Sequence, residues 1–220
     1  MIITIARECG CSGDEIGEAI SEKYGIAFYN KEILIHSAQD RGIYNRYPDF
    51  FAENPENSLL RSVSMDDNME LARQTPKKAL NEVIEVHDCV IIGRCANSAF
   101  SDRKDLLRVF LCGDKSQRIK KTADKYSISE EKATEIVEKT DERRKDFQTY
   151  YTGEDWGYAG NYDICLNESV LGTEKTIEVI CHFVDDMIRN DSVISVLLFT
   201  WENITERYGI WEQKVRRQRG

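Results

Sequence analysis

The sequence has few of the features that mark membrane proteins and nucleic-acid-binding proteins. It contains no run of about 18 consecutive apolar residues, and so no membrane-spanning helix is predicted. Its 39 acidic side chains outnumber its 30 basic ones, which gives a formal net charge of −9. A protein that binds a nucleic-acid polymer usually has an excess of basic charge, so that class of partner is not expected. A local basic pocket for small phosphate compounds remains compatible with this charge, because net charge does not describe one cleft.

Signals for export and for disulfide or metal binding are also lacking. The first residues are apolar, with no basic stretch ahead of them, which predicts a first β-strand and not a signal peptide. The seven cysteines include no C-x-x-C pair, and Cys9 and Cys11 have no histidine nearby. We therefore interpret all seven as reduced thiols of a cytoplasmic protein, and we predict no metal-binding cluster.

Five short apolar segments alternate with segments of helical periodicity along the 220 residues. The predicted strands span residues 1–6, 26–29, 88–92, 106–112 and 162–167. The predicted helices include one over 16–24 that Gly25 closes, one that starts at Thr75 and Pro76, one that starts at Ser129, and one over 173–188. This alternation predicts one three-layer α/β domain, with a parallel five-stranded sheet in which the first strand is central.

A glycine-bearing loop between the first strand and the first helix is the main functional signal. Backbone N–H groups in such a loop, together with the N-terminus of the next helix, can hold a phosphate group. A regular P-loop also has a Lys followed by Ser or Thr, whereas here Gly13 takes the lysine position and Glu15 the hydroxyl position. A tight turn that binds no ligand is the alternative. The residues that we assign to binding the phosphates of the cofactor are Arg7, Gly10, Cys11, Ser12, Gly13, Asp14 and Glu15.

Several segments, taken together, resemble the cytidylate kinase-like family. They are the opening segment 3–17, the segment 28–32, the Gly-Arg-Cys-Ala segment 93–96, the segments 150–153 and 156–157, and the segment 161–167. They occur in the family's order and extend the resemblance over residues 1–188. Each segment alone is weak evidence, but jointly they are specific.

This resemblance implies a P-loop NTPase-like fold over residues 1–188. Residues 31–75 would form a helical excursion that binds a nucleoside monophosphate, residues 141–160 a lid, and residues 189–220 a C-terminal extension. The resemblance also implies ATP and Mg²⁺ as cofactors, with CMP or a related nucleoside monophosphate as the phosphoryl acceptor. A small-molecule nucleotide is therefore the expected partner.

The resemblance also assigns roles to individual residues. Guanidinium groups suit phosphoryl transfer because charge spreads over the transferred group and the leaving oxygen. The residues assigned to the acceptor, by their place in the family's pattern, are Asn30, Lys31 and Arg94. The arginines assigned as catalytic, because true cytidylate kinases clamp the phosphates from these places, are Arg118, Arg143 and Arg144.

The sequence departs from the family's pattern at several positions. The P-loop lysine is missing, and Arg7 or Lys31 could supply its charge. The other departures are Asp14, Asn30, Ile92 and Cys95. The leading interpretation is a nucleotide-dependent phosphotransferase. The alternatives are a catalytically silent nucleotide-binding protein that senses or assembles, which the missing lysine favours, and a kinase of a non-nucleotide small metabolite.

Overall fold

A computed structural model describes residues 1–53, 66–85 and 88–189. Its centre is one sheet of five parallel strands in the order β2-β3-β1-β4-β5, which confirms the predicted α/β fold and the central first strand. The strands are β1 Ile2–Arg7, β2 Ala27–Tyr29, β3 Cys89–Ile92, β4 Leu106–Cys112 and β5 Ile164–Asn167.

The three inner strands are apolar along most of their length because helices cover both faces of the sheet. Ile3 on β1 pairs with Val90 on β3 and with Leu107 on β4, and all three side chains are fully buried. A parallel pairing of this kind places the carboxyl ends of the strands at one edge of the sheet. The loops that follow β1, β3 and β4 therefore meet at that edge.

Four helices of the described residues begin after a side chain that caps them. Asn30, Asp114, Ser129 and Asn167 each accept a hydrogen bond from a backbone N–H in the first turn of the following helix. The helices of the described residues are α1 Gly13–Tyr24, α2 Lys31–Asp40, α3 Pro48–Ala52, α4 Asp66–Val83, α5 Ala96–Ala99, α6 Lys115–Tyr126, α7 Glu130–Thr152, α8 Glu168–Leu171 and α9 over 173–189.

The predicted helix start at Thr75 and Pro76 is wrong, since both residues lie inside α4. The Thr75 hydroxyl donates to the carbonyl of Leu71 within the helix and so does not act as a cap. Proline usually interrupts a helix. Here the helix continues through it and buries Ala79, Leu80 and Val83 on its far side, so packing outweighs the local preference.

The chain divides into two compact units, Met1–Ile177 and Glu178–Gly220. The sheet and every residue assigned to a site lie in the first unit. The described part of the second unit is the continuation of α9 over 178–189. Within the described residues, no helix is long and apolar enough to cross a membrane. The proposed excursion, lid and C-terminal extension stay predictions, and the extension lies almost wholly outside the described residues.

Candidate functional site

The glycine loop after β1 is held tightly between α6 and α7. Gly10 has φ +89°, and a Cβ atom there would lie 2.5 Å from the backbone oxygen of Arg118 on α6. The N–H of Cys9 donates to the carboxylate of Asp141 on α7 at 2.6 Å. The loop therefore needs glycine at residue 10 for close packing, and its shape is fixed by two neighbouring helices.

Several backbone donors of this loop are free to bind an anion. Within the described part of the chain, the N–H groups of Gly10 and Ser12 have no hydrogen-bond partner, and the first turn of α1 adds the unpaired N–H groups that every helix start exposes. A cavity of about 380 Å³ opens over them, which is large enough for a small-molecule ligand. Its lining includes all of the residues assigned to the cofactor phosphates, together with Cys9, Lys121, Thr122, Lys125, Tyr126 and Arg144.

Arg7 is the cation that the sequence supplies in place of the missing lysine. Its side chain runs between the loop and the turn after β3: a Cβ on Gly13 would lie 2.9 Å from Cγ of Arg7, and a Cβ on Gly93 would lie 2.7 Å from Nη1. Among the described residues, its guanidinium makes no hydrogen bond and has no carboxylate within ion-pair distance. Burial, and then the neighbouring charge of Arg144, lower the pKa of Arg7 to about 10, so it remains a cation at neutral pH.

Arg144 on α7 lies beside Arg7. Its Nη1 donates to the backbone oxygen of Arg7 at 2.9 Å, and in the described part of the chain it too has no carboxylate partner. Both arginines line the loop cavity and also a second, smaller cavity beside Gly93. Two cations without counter-ions are thus shared between the two cavities.

The second cavity follows a left-handed turn at the end of β3. Gly93, Arg94 and Cys95 have φ values of +73°, +61° and +53°, a conformation that non-glycine residues adopt rarely and at a cost. The cavity has a volume of about 30 Å³, room for one or two small groups. Its lining is Ala6, Arg7, Glu53, Gly93, Arg94, Cys95, Asn97, Arg144, Phe147, Gln148 and Trp156.

Arg94 is almost fully buried and is held mainly by the end of α3. Its guanidinium donates to the backbone oxygens of Phe50 at 2.6 Å and Phe51 at 3.1 Å. It also lies over the rings of Phe50 and Phe147, about 6 Å from each centroid. Its Nε atom is buried without a partner, so one donor of this arginine is unsatisfied beside the cavity.

Glu53, just after α3, is the carboxylate that meets the remaining cations. Its oxygens lie 2.9 Å from Nζ of Lys31, 3.5 Å from Nη2 of Arg94 and 3.6 Å from Nε of Arg143. Burial alone would raise the pKa of Glu53, but these three cations outweigh that effect and hold its pKa below the ordinary value. Lys31 is therefore engaged with Glu53 and, unlike Arg7, has a counter-ion.

Arg118 lies on the far side of the loop from the second cavity, where it joins the loop to two helices. It is buried, with Nη1 2.7 Å from the carboxylate of Asp141 and Nε 3.3 Å from that of Glu8. It also donates to the backbone oxygens of Cys9 at 2.9 Å and Gly113 at 3.1 Å. Its catalytic role stays a prediction, and these contacts favour a role in fixing the loop.

The remaining assigned residues differ in the contacts that they make. Asn30 caps α2 by accepting from the N–H of Ile33 at 3.0 Å, so its side chain has a structural task. Asp14 and Glu15 lie in the first turn of α1 and line the loop cavity. The hydroxyl of Ser12 is 3.0 Å from Nζ of Lys121, within a polar group centred on the buried Glu168.

Ile92 and Cys95, where the family pattern would have acids, are both buried. A Cβ on Gly17 would lie 2.6 Å from Cδ1 of Ile92, so Ile92 packs against α1 and not towards the cavities. Burial raises the pKa of the Cys95 thiol, which keeps it protonated and unreactive. Of the two, Cys95 shares the lining of the second cavity with Arg7 and Arg144, where it adds no negative charge.

In addition to the carboxylates already described, sequence reasoning missed four residues that contribute to the site. Lys121 and Glu168 form an ion pair at 2.5 Å beside the loop. Lys121 lies three residues after Arg118, and this helical spacing is the sequence signal that could have indicated it. Asn97 and Gln148 line the second cavity and are each at least nine-tenths buried. Their amide groups add neutral hydrogen-bonding groups to a lining that otherwise contains several charged side chains.

The described residues contain no cluster of three or more histidine, cysteine or acidic side chains that could hold a metal ion. Magnesium often keeps several waters and binds mainly through substrate phosphates, and no step below depends on it.

The site thus consists of a glycine loop after the central strand of a parallel sheet and two arginines that line two neighbouring cavities. The chain belongs to the cytidylate kinase-like family, whose sequence model matches residues 2–170. Family membership indicates a kinase-like role with a nucleotide or another small molecule. No curated protein matches the chain.

One of the similar solved structures supports the same fold. An uncharacterized protein from Eubacterium ventriosum ATCC 27560 is 29% identical, with a TM-score of 0.63 and coverage of 84% of this chain and 98% of its own. A shikimate kinase from Bacteroides thetaiotaomicron is 14% identical, with a TM-score of 0.43 and coverage of 84% and 98%. A gluconokinase from Sinorhizobium meliloti 1021 is also 14% identical, with a TM-score of 0.47 and coverage of 86% and 95%.

Proposed function

We propose that this protein is a phosphotransferase that moves the terminal phosphoryl group of ATP to a nucleoside monophosphate, with CMP as the first candidate acceptor. The observation that carries the proposal is the position of Arg7 and Arg144. Each lines both the loop cavity and the cavity beside Gly93, and neither has a carboxylate partner within the described residues.

Two guanidinium groups in this situation favour an anionic ligand on physical grounds. A partly buried cation without an ion-pair partner, as each of these two arginines is, has lost some of its water without gaining a paired negative charge. A phosphate group that accepts from both guanidiniums would restore that balance with short, charge-assisted hydrogen bonds. The cost of holding Arg7 without a partner in the free protein is therefore consistent with a phosphate-binding role.

The shared position also suits the transfer step. The donor phosphates would lie on the free N–H groups of the loop, with the acceptor phosphate beside Gly93. An acceptor oxygen would attack the terminal phosphorus, the bond to the bridging oxygen would break, and ADP would leave with the negative charge. Arg7 and Arg144 lie between the two positions, where they would stabilise charge on the transferred group. When bound, magnesium would add charge compensation at the donor phosphates.

Of the two candidates for the missing lysine, Arg7 fits better than Lys31. The ammonium of Lys31 is 2.9 Å from Glu53 and lines neither cavity. Arg7 is the last residue of β1, the central strand, and pairs with Leu111 of β4, so its backbone position is fixed by the sheet. Its guanidinium also offers two parallel donors to one phosphate, which an ammonium cannot.

The silent-binder alternative is supported by a different observation. Arg94 and Arg118 are both largely occupied by contacts inside the protein, which leaves fewer free cations than the family pattern implies. Such a protein would bind nucleotide at the loop without transferring a phosphoryl group. The two functions differ in turnover and not in binding.

An ADP-release assay separates these possibilities. We expect ADP release from ATP with CMP or another nucleoside monophosphate, but not with nucleosides or small alcohols. Calorimetry with ATP, without an acceptor, reports binding alone. Binding without release for any acceptor would support the silent binder, and release only with alcohols would support a metabolite kinase.

A further inference from the structure

One anion already lies in the cavity that the acceptor phosphate would enter. The carboxylate of Glu53 lines this cavity and forms ion pairs with Lys31, Arg94 and Arg143. Only 18% of its side chain is exposed. The proposed transfer reaction gives this carboxylate no task, although it is the acidic side chain in the cavity lining.

The backbone fixes Glu53 in this place. It has φ +54° and ends α3 in a left-handed turn, a position where glycine is far more common. Arg94 binds two carbonyl oxygens near the end of α3, those of Phe50 and Phe51, and so ties that helix to the turn after β3. A glutamate held in a strained position, against an arginine that also anchors its helix, is a built contact and not a surface ion pair.

The charges around Glu53 match those that would receive a phosphate. Glu53 presents Oε1 to Arg94 and Oε2 to Lys31 and Arg143, and a phosphate could present its oxygens to the same donors. The cavity also contains Arg7 and Arg144, which have no carboxylate partner among the described residues, and the unpaired Nε–H donor of Arg94. A dianionic phosphate group has more charge and one more oxygen than the carboxylate. It could therefore bind both the donors that now face Glu53 and the donors that have no partner.

From these contacts we infer that Glu53 determines acceptor specificity by acting as a resident anion, which a phosphorylated acceptor displaces and a neutral acceptor does not. This inference rests on the proposed function, because it takes the cavity beside Gly93 as the acceptor site. A nucleoside or an alcohol carries no charge to exchange for the carboxylate. The ion pairs would therefore stay closed, and the guanidinium of Arg94 would stay out of reach.

Displacing the Glu53 carboxylate costs free energy, and this cost should weaken the measured affinity for phosphate. If the closed ion-paired form is favoured about tenfold over the open one, the apparent affinity for an anion is about tenfold weaker than that of the open site. Removing the carboxylate removes this penalty. It also leaves Arg94 without its counter-ion, so the free protein should lose stability that an added anion restores.

The test is a calorimetric titration of inorganic phosphate into wild type, Glu53→Gln and Glu53→Ala. We expect both variants to bind phosphate about tenfold more tightly than wild type. We also expect their Tm to be lower without phosphate and to rise more on its addition. The matched control is Glu82→Gln, which removes a partly buried carboxylate that pairs with Arg46 and Tyr47 and lines neither cavity. It should bind phosphate as wild type does.

Equal or weaker phosphate binding in both variants would overturn the inference, and so would a lack of binding in all proteins. The loop site is the same in wild type and variants, so a difference between them reports the second cavity. Because this titration needs no ATP and no turnover, it is independent of the ADP-release assay. Tighter phosphate binding without any ADP release would leave the exchange standing and would contradict the phosphotransferase.

Discussion

Arg7 and Arg118 show how two arginines at the same loop can have opposite energetic roles. Arg118 is buried with two carboxylates and two carbonyl oxygens around it, so its charge is fully compensated in the free protein. Arg7 has no carboxylate within ion-pair distance in the described residues, and its pKa is lowered to about 10. A fully compensated cation stabilises the fold that it joins, whereas an uncompensated one is better suited to a ligand.

Replacing Arg118 with methionine should therefore cost stability. The change leaves Asp141 and Glu8 as partly buried carboxylates without their cation, and we expect the free energy of unfolding to fall by about 3 kcal/mol. Urea unfolding followed by circular dichroism measures this. Lys115→Met on the same helix is the control, because its pair with Glu138 is exposed and should contribute almost nothing. A variant as stable as wild type, with activity lost, would instead support a catalytic role for Arg118.

Gly10 offers a second prediction at this scale. An added Cβ would lie 2.5 Å from a backbone oxygen that cannot move without shifting α6. We expect Gly10→Ala to lower the free energy of unfolding by about 2–3 kcal/mol and to weaken nucleotide binding, because the loop must change shape. Gly25→Ala is the control, since it also has a positive φ but has open space around it. Its cost should stay near 1 kcal/mol, and equal losses in both would exclude the close packing as the cause.

At the scale of elements, α7 organises the site from one face. Asp141, Arg144 and Gln148 are spaced three and four residues apart, so they share one side of the helix. Asp141 binds the loop, Arg144 binds the end of β1, and Gln148 lines the second cavity. The lid predicted over residues 141–160 therefore begins as a continuous helix that extends to Thr152 and already contacts the loop in the free protein.

The sequence predicted the elements of this site better than their contacts. The strand positions, the central first strand and the loop could be read from apolar runs and glycines, because these depend on near neighbours along the chain. The ion pairs of Glu53 join residues up to 90 positions apart, and no local pattern marks them. Pro76 misled the prediction for α4 for the same reason, since burial by distant residues outweighed the local signal.

The entry to β4 gives a prediction about pH. Arg103 donates twice to the carboxylate of Asp105, at 2.9 and 2.6 Å. Chiefly through this contact, the pKa of Asp105 is lowered from 3.8 to about 2. A lowered carboxyl pKa contributes stability that is present above pH 3.8 and is lost as the pH falls towards 2.

We therefore expect the difference in unfolding free energy between wild type and Asp105→Asn to shrink as the pH falls from 5 to about 2. Urea unfolding at several pH values measures this difference. The pair is about one-third exposed, so the effect should be modest and should weaken with added salt. A difference that does not change with pH would mean that the contact acts through geometry and not through charge.

At the scale of the whole molecule, the central question is whether the two cavities work as one site. Arg7 and Arg144 line both of them, and the positive charge of Arg144 is one reason that the pKa of Arg7 is lowered. Two like charges held together without a counter-ion disfavour the free protein and favour any state in which an anion lies between them. Arg7 and Arg144 should therefore lower the stability of the protein without ligand and raise its affinity for nucleotide.

Thermal unfolding of wild type, Arg7→Met, Arg144→Met and the double variant, with and without ATP, tests this coupling. Without ATP, we expect each single variant to have a Tm equal to or above that of wild type, because one unpaired charge and its repulsion are removed. A ligand present at 100 times its Kd stabilises a protein by about 2.7 kcal/mol. At a fixed ATP concentration that gives this effect in wild type, the ATP-induced rise in Tm should be smaller in each single variant and absent in the double variant. Lys139→Met, an exposed cation on α7 that lines neither cavity, should respond as wild type does. An undiminished rise in the double variant would show that nucleotide binds elsewhere.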